Sequence, residues 1–488
     1  MDYPEIRHRV GLFLAKHDLV ACSRVSKEWF ETFTPLLFES LDIQAYGPRW
    51  SAKAPTMTAL RKHGHRIRLL ALRENDSYSI AEQDLQPTED DSSGQEYIPK
   101  GLKWIQDFLR DHPRILRLEL QDFVYQTSLV PALTMHCLEL KELSLLNMTT
   151  DIADIAYILK ESKHLEALTI ADGMLTRAHD GWPDNMPELF PNIKALDFRR
   201  IIGPSLGFLL EWVARCPGLE ELRIEPGSIH KEYTDTDYTL LEQCPKLARL
   251  EIRKMRLVDG ELATILDSCS YLTHFTLRGE RLNEKAYKAL RRHFLTLRVL
   301  NFFGTVEMRS WMCGHIVYMC PNLVELTTSD LKLDEFLTLT PPKISRVRDT
   351  PSRMPAKKRL TMAESALAEV RGHPWGCKGL RKLKFKSLEW SDDEEVDIKF
   401  LTKYVPVFKQ LEEFVIGGFD DQYGEPGDME MLEFRQSYVS QKKPLDPGPL
   451  QKGVFDRDRL TRLDNMRWMT KKWPKLKLFK LVDRQFYI

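Results

Sequence analysis

This sequence has no net charge to spend. Its 488 residues carry 71 Lys and Arg against 71 Asp and Glu. That balance excludes a chain-wide polybasic nucleic-acid binder and an acidic decoy. Long apolar runs are also missing: nothing approaches the ~18 residues that a transmembrane helix needs. The first residues, Met1 to Arg9, are charged and lack the apolar core of a secretory signal. Cysteine is scarce, with eight in the whole chain, too few for a disulfide scaffold of this length. Together these absences predict a cytosolic or nuclear protein without a membrane anchor. Catalytic signatures are missing too. No H-E-x-x-H, phosphate-binding G-x-x-x-x-G-K-[S/T], G-x-G-x-x-G or C-x-x-C occurs. No residue set calls for a cofactor or a metal. One hydrolase-like pattern exists, Gly203-Pro204-Ser205-Leu206-Gly207. It lies in normal repeat phase and has no partner loop, so the chain reads as a non-enzyme.

What the sequence does have is repetition. A nine-residue phrase, roughly [C/F]-P-x-L-x-x-L-x-[L/I/F], is clearest at Cys216–Ile224 and Cys244–Ile252. Other copies begin at Gly64, His112, Cys137, Ser162, Phe190, Cys269, Phe294, Cys320, Cys377, Phe408 and Trp473. From His112 to Cys320 the starts are 25, 25, 28, 26, 28, 25, 25 and 26 residues apart, inside the range of leucine-rich repeats. The L-x-L tail alternates with period two and predicts a short strand with one buried face. Helix-like stretches such as Asp259–Asp267 and Asn283–Phe294 fill the gaps. One strand and one helix cannot bury their own apolar sides, whereas stacked copies can. The prediction is an α/β repeat solenoid, a leucine-rich-repeat horseshoe with parallel strands inside and helices outside. Six of the eight cysteines open a phrase, which predicts small buried core residues rather than a metal or redox cluster.

The first forty residues read differently. Ile6, Val10 and Leu14 share one helical face, Asp18 is a candidate cap for a second helix, and Leu19, Cys22, Val25, Trp29 and Phe33 continue an apolar stripe to Pro35–Phe38. Pro4, Ile6, Val10, Leu14, Asp18-Leu19, Val25-Ser26-Lys27-Glu28-Trp29 and Pro35-Leu36-Leu37-Phe38 together resemble an F-box. The cysteine-opened phrases resemble the leucine-rich repeats of F-box proteins of a style abundant in fungi. The resemblance implies an all-α F-box unit over 1–45 and a repeat solenoid over 46–488, with insertions near 74–100, 335–372 and 418–470. It also implies a function: the substrate receptor of an SCF-type ubiquitin ligase, docking a Skp-type adaptor and through it a cullin–RING ligase. Pro4, Ile6, Val10, Leu14, Leu19, Val25 and Trp29 would then be adaptor contacts. The alternative is a hairpin that simply caps a protein-binding solenoid.

Phrase positions six, eight and ten should face the concave side. This places Arg199, Arg223, Arg249, Arg253, Arg278, Phe303, Lys382, Lys384 and Lys386 on a target-binding surface, along with Asp197, Glu221, Glu225 and Glu251. The basic residues suggest a clamp for an acidic or phosphorylated target, with Phe303 as an apolar anchor. The plainer reading is a solvated strand face with interleaved charges. Residues 74–97 and 420–433 are acidic, and 343–359 are basic and include Lys357-Lys358-Arg359; all three interrupt the repeat as loops.

Overall fold

The computed structural model describes residues 4–45, 63–74, 100–122, 129–176, 188–227, 236–258, 260–304, 308–332, 377–389, 410–416, 475, 478–481 and 484–487. The three predicted insertions, the Lys357-Lys358-Arg359 run and Asp259 lie outside these residues. The chain forms two compact units, Met1–Leu247 with Ser268–Ser270, and Ala248–Asp267 with Tyr271–Ile488.

In the first unit three helices come first: α1 (Pro4–Gly11), α2 (Lys16–Ser23) and α3 (Lys27–Glu39). The sequence pattern predicts two, so the structure corrects it. Ser26 supplies the reason: its hydroxyl accepts the Trp29 N–H at 3.3 Å and starts α3 anew, splitting the apolar stripe. Asp18 lies inside the first turn of α2, whose N-cap is Ala15. Leu14 falls in the turn after α1. Gly11 is where α1 crosses α3; a Cβ there would sit 2.5 Å from Leu36 and 2.8 Å from Phe33.

A strand the pattern misses follows at once, β1 (Ser40–Ala45). It pairs in parallel with β2 (Leu69–Glu74), Ser40 opposite Leu69. Then come α4 (Lys100–Asp111), β3 (Arg117–Gln121), α5 (Val130–His136), β4 (Glu142–Leu146), β5 (Thr149–Asp151), α6 (Ile152–Glu161), β6 (Ala167–Ala171), β7 (Met174–Thr176), β8 (Ala195–Ile201), α7 (Leu206–Ala214) and β9 (Glu221–Pro226). The parallel order is β1-β2-β3-β4-β6-β8-β9, while β5 and β7 form a separate two-stranded ledge. The second unit holds β10 (Arg249–Arg253), α8 (Glu261–Ser268, shared at its last residue with the first unit), β11 (His274–Arg278), α9 (Glu284–Leu290), β12 (Val299–Phe303), α10 (Ser310–Met319), β13 (Glu325–Lys332), β14 (Lys382–Glu389), β15 (Glu413–Ile416), β16 (Leu478–Leu481) and β17 (Arg484–Tyr487). Neighbours from β10 to β16 are parallel, and β17 turns back antiparallel on β16.

Every one of the thirteen phrases becomes a strand that starts five residues after the phrase does, from Gly64 and Leu69 to Trp473 and Leu478. Register makes the pattern self-reinforcing. Leu196 pairs with Leu222, Leu250 with Phe275 and Phe275 with Leu300, so phrase position seven stacks on itself. These side chains are 0–3% exposed, as are Phe198, Ile224, Ile252, Leu277 and Phe302 at position nine. Position four (Leu219, Leu247, Leu272, Leu297, Leu323) is fully buried in front of each strand. Helices cover this leucine side: Phe198 of β8 meets Trp212 of α7 at 5.1 Å between ring centroids. The arrangement is an alternating α/β repeat fold with parallel strands.

Backbone bonds lock each entry and exit. At entry, two successive N–H groups donate to one carbonyl of the preceding repeat, as Glu220 and Glu221 do to Lys194 at 2.7 and 2.9 Å. Thr273 and His274 do the same to Ala248. At exit, the residue after the strand turns left-handed, at Asp122, Asn147, Asp172, Lys254, Gly279 and Gly304. Its N–H bonds the next repeat, as Asn147 does to the Ala171 carbonyl at 2.8 Å. Asp and Asn tolerate this backbone and Gly prefers it.

Cysteines behave as predicted. Cys137, Cys216, Cys244, Cys269, Cys320 and Cys377 are at most 2% exposed, and no disulfide joins them. The Cys244 thiol donates to the Val213 carbonyl at 3.2 Å, so it satisfies a helix-end acceptor while filling the core. Burial pushes the thiols of Cys137, Cys244, Cys269 and Cys377 up to about 12. Among the described residues no helix is long and apolar enough to cross a membrane.

Candidate functional site

With the leucine face buried, the opposite side of each sheet holds phrase positions six, eight and ten. Alternating burial puts Arg199, Arg223, Arg253, Arg278, Phe303, Lys382 and Lys384 there half-exposed, with Arg249 exposed. Glu225 departs from the prediction: it is 5% exposed and so does not line the open face. The side chain of Lys386 is outside the described residues.

The charges on this face are organised in clusters in which one residue meets two of opposite sign. In the first unit Asp42 and Glu119 both approach Arg73, at 3.4 and 3.3 Å. Asp197 receives Arg199 at 3.0 Å and Arg223 at 3.3 Å. In the second unit Glu251 receives Arg253 at 2.6 Å and Arg278 at 3.4 Å. Lys382 stands between Glu325 at 3.7 Å and Glu413 at 3.6 Å, and Lys384 bonds Glu413 at 2.9 Å. Sequence reasoning singles out the lysines and passes over Glu325 and Glu413, although both occupy phrase position six, like Lys382. Burial by itself would raise the Glu413 carboxyl; the Lys384 hydrogen bond and the two ammonium charges outweigh it and hold the pKa below the ordinary carboxylate value. Lys382 is thus bound to carboxylates one repeat to either side, and Lys384 to one of them.

Between these clusters, strands β11 and β12 of the second unit present Thr276, Arg278, Val299, Asn301 and Phe303 on the same face. Thr276 pairs with Asn301 across β11 and β12, and Arg278 with Phe303. The Asn301 amide nitrogen reaches Thr276 at 3.5 Å, while its oxygen has no hydrogen-bond partner. The Arg278 guanidinium lies 4.4 Å over the Phe303 ring.

The N-terminal helices carry a second feature. Ile6 (43%), Val10 (42%), Leu12 (60%), Phe13 (89%), Val25 (66%) and Phe30 (45%) are exposed apolar side chains within one small helical unit. Of the predicted adaptor contacts, Ile6, Val10 and Val25 belong to this group, while Leu14 and Trp29 are half-buried. Leu19 is 5% exposed and belongs to the helical core. Trp29 packs edge-on against the buried Phe33, centroids 5.3 Å apart. The side chain of Pro4 is outside the described residues.

Ser205 proves to be a helix cap. Its oxygen accepts the Phe208 N–H at 3.1 Å and opens α7. Gly203 before it has φ +116°, and a Cβ there would lie 2.3 Å from the Leu175 carbonyl oxygen. The glycine serves a close backbone approach of the β7 ledge. Among the described residues no three His, Cys, Asp or Glu gather as a metal site.

No family model matches the chain, and no curated protein matches it. Among solved structures it is similar to an internalin C2 of Listeria monocytogenes, with 18% identity and a TM-score of 0.22. That match covers 38% of this chain and 66% of the internalin chain, just under two thirds of its length. The fold assignment therefore rests on the strand register itself: this is an α/β repeat chain with parallel strands stacked in register.

Proposed function

We propose that the chain is a non-catalytic leucine-rich-repeat scaffold that binds a target protein on the open face of its parallel strands. The observation that carries this is the in-register stacking, which lines up half-exposed side chains from successive repeats in rows. Repeat proteins use such extended faces for recognition because each repeat adds a row without altering the core. Affinity purification with mass spectrometry tests it. Arg223→Glu and Thr276→Arg on the face should remove a defined set of proteins that Tyr157→Ala, an exposed change on helix α6, leaves in place. Equal capture by all three variants overturns the reading.

A finer reading is that the scaffold is a substrate receptor of an SCF-type ligase. It is supported by the F-box resemblance and by the exposed apolar group around Phe13 and Val25, which a docking partner would cover. Purified Skp-type adaptor should bind the wild-type chain, and Phe13→Asp with Val25→Asp should abolish binding. No binding by the wild type would leave the scaffold reading without the ligase.

A further inference from the structure

The loops that lead into the strands of the second unit form a surface apart from the open face. Parallel pairing sets the entries to β11, β12, β13 and β14 side by side, with His274 against Val299, Val299 against Glu325 and Glu325 against Lys382. Neighbouring strands stand ~4.8 Å apart, so the four entries make a row of about 15 Å whose tips can touch one plane together. We propose that this row is a contact for the anionic surface of a lipid bilayer. It is a different surface from the strand face and does not depend on the protein-binding reading.

The charge of the row gives the first argument. Tyr271–Thr273, Arg291–Arg298, Met319–Val324 and Cys377–Arg381 contain Arg291, Arg292, Arg298, Lys378 and Arg381, and no acid. All five cations are exposed. Carboxylates at this end are already held: Asp267 by Arg292 at 2.8 Å, Glu412 by Arg381 at 2.7 Å and Glu325 by Lys382 at 3.7 Å. Arg291, Arg298 and Lys378 have no carboxylate partner among the described residues. Arg291 and Arg292 follow the end of α9, where the helix dipole favours cations. Arg298, just ahead of β12, has no such reason to be basic. The same edge of the first unit is organised differently. There Lys141 and Lys194 both close on Glu166, at 3.7 and 2.7 Å, and Arg68 approaches Glu139 at 3.6 Å. Leu138 and Leu189 stand out on that edge too, but among charges that the protein pairs for itself.

Apolar tips give the second argument. Tyr271, Leu295 and Met319 are exposed, one on each of the entries to β11, β12 and β13. Leu295 is 70% exposed and lies between Arg291 and Arg298 in the chain. Single apolar side chains set among unpaired cations suit a bilayer surface. The cations meet anionic headgroups, and each apolar tip dips beneath them. An acidic protein would accept the cations but would need a separate pocket for each tip.

Sedimentation of the purified full-length chain with lipid vesicles tests the proposal. Vesicles of phosphatidylcholine with a third of phosphatidylserine should carry the chain down. Vesicles of phosphatidylcholine alone should leave it in solution, and high salt should release it from the anionic ones. Each basic residue at an anionic surface strengthens partitioning about fivefold, so Arg298→Glu with Lys378→Glu should weaken it ~25-fold or more. Leu295→Asp should weaken it several-fold with unchanged thermal unfolding, and Leu295→Trp, which keeps an apolar tip, should preserve it. Lys163→Glu, an exposed change on the edge of the first unit, should sediment nearly as the wild type does. No sedimentation with phosphatidylserine, or equal sedimentation with phosphatidylcholine alone, would overturn the proposal. Undiminished sedimentation of Arg298→Glu with Lys378→Glu would overturn the location. Binding of polyglutamate without binding of vesicles would assign the row to an acidic protein and overturn the bilayer.

Discussion

Glu280 offers a sharp test of how the repeats are held together. It follows β11, is only 2% exposed, and its two oxygens accept the N–H groups of Arg256 at 2.7 Å and Leu257 at 3.1 Å. Those donors lie in the segment leaving β10, where Lys254 and Arg256 have φ of 48° and 53°. A buried carboxylate from one repeat thus secures a strained turn of the one before. Each hydrogen bond to a charged group is worth ~1.5–3 kcal/mol. Some of this returns when water reaches the exposed Arg256, so Glu280→Ala should cost roughly 2–4 kcal/mol locally. Amide hydrogen exchange over residues 254–262 reads this directly, with exchange about 30- to 1000-fold faster, since ~1.4 kcal/mol is a factor of ten. Glu280→Gln, which keeps an acceptor oxygen, should lose less. A pH series adds an independent check. Burial raises the Glu280 carboxyl above its ordinary value, outweighing the backbone N–H groups that lower it. A raised acid binds its proton more tightly folded than unfolded. Its favourable contribution is therefore complete below the unfolded pKa of ~4.3 and is lost as pH rises through the folded value. Wild type should gain stability relative to Glu280→Gln as the pH falls toward that window. Unchanged exchange at 254–262 in Glu280→Ala, or a wild-type advantage that grows with rising pH, would refute the argument.

Other expectations follow from the same geometry. Phe302→Ala, fully buried between β11 and β13, should lower stability by ~3–5 kcal/mol in urea unfolding; a loss under 1 kcal/mol would mean that the leucine face is not closely packed. Gly203→Ala should be more damaging than Ser205→Ala, because the first forces backbone apart while the second removes a cap worth ~1 kcal/mol. Their melting temperatures decide the order, and neither change should alter ester hydrolysis. Under native conditions a thiol reagent should modify the half-buried Cys22 first and reach Cys137, Cys244, Cys269 and Cys377 only on unfolding, since burial pushes their thiols up to about 12. Rapid native labelling of those four would contradict the packing.

Much of this molecule was determined by its sequence alone. The phrase specifies a strand, its starting point and its buried face, because leucines two apart on a strand must point the same way. Repetition at a near-constant spacing then leaves stacking as the only way to bury them, and the phrase-opening cysteines follow into the core. The helices at the start were legible as apolar faces, but their division was not. It turns on whether one hydroxyl, that of Ser26, caps a new helix. Strand β1 escaped notice because Leu41 and Ile43 repeat the alternating tail of the phrase without its Cys-Pro or Phe-Pro opening; pairing with β2 sets them opposite Leu70 and Leu72. The left-handed exit at Lys254 was hidden for a related reason: a next-repeat hydrogen bond to the Arg278 carbonyl holds it, and lysine does not announce it.

The open face needed tertiary structure most of all. Its residues could be named from phrase position, yet their chemistry depends on neighbours from other repeats. Lys382 and Glu325 are 57 positions apart in the sequence and meet only because β13 and β14 pair with Glu325 opposite Lys382. Charge along a chain is additive, but charge on a surface depends on distance. Register, set by the buried leucines on the other side of the sheet, decided which lysines found carboxylates and brought Arg278 over the ring of Phe303.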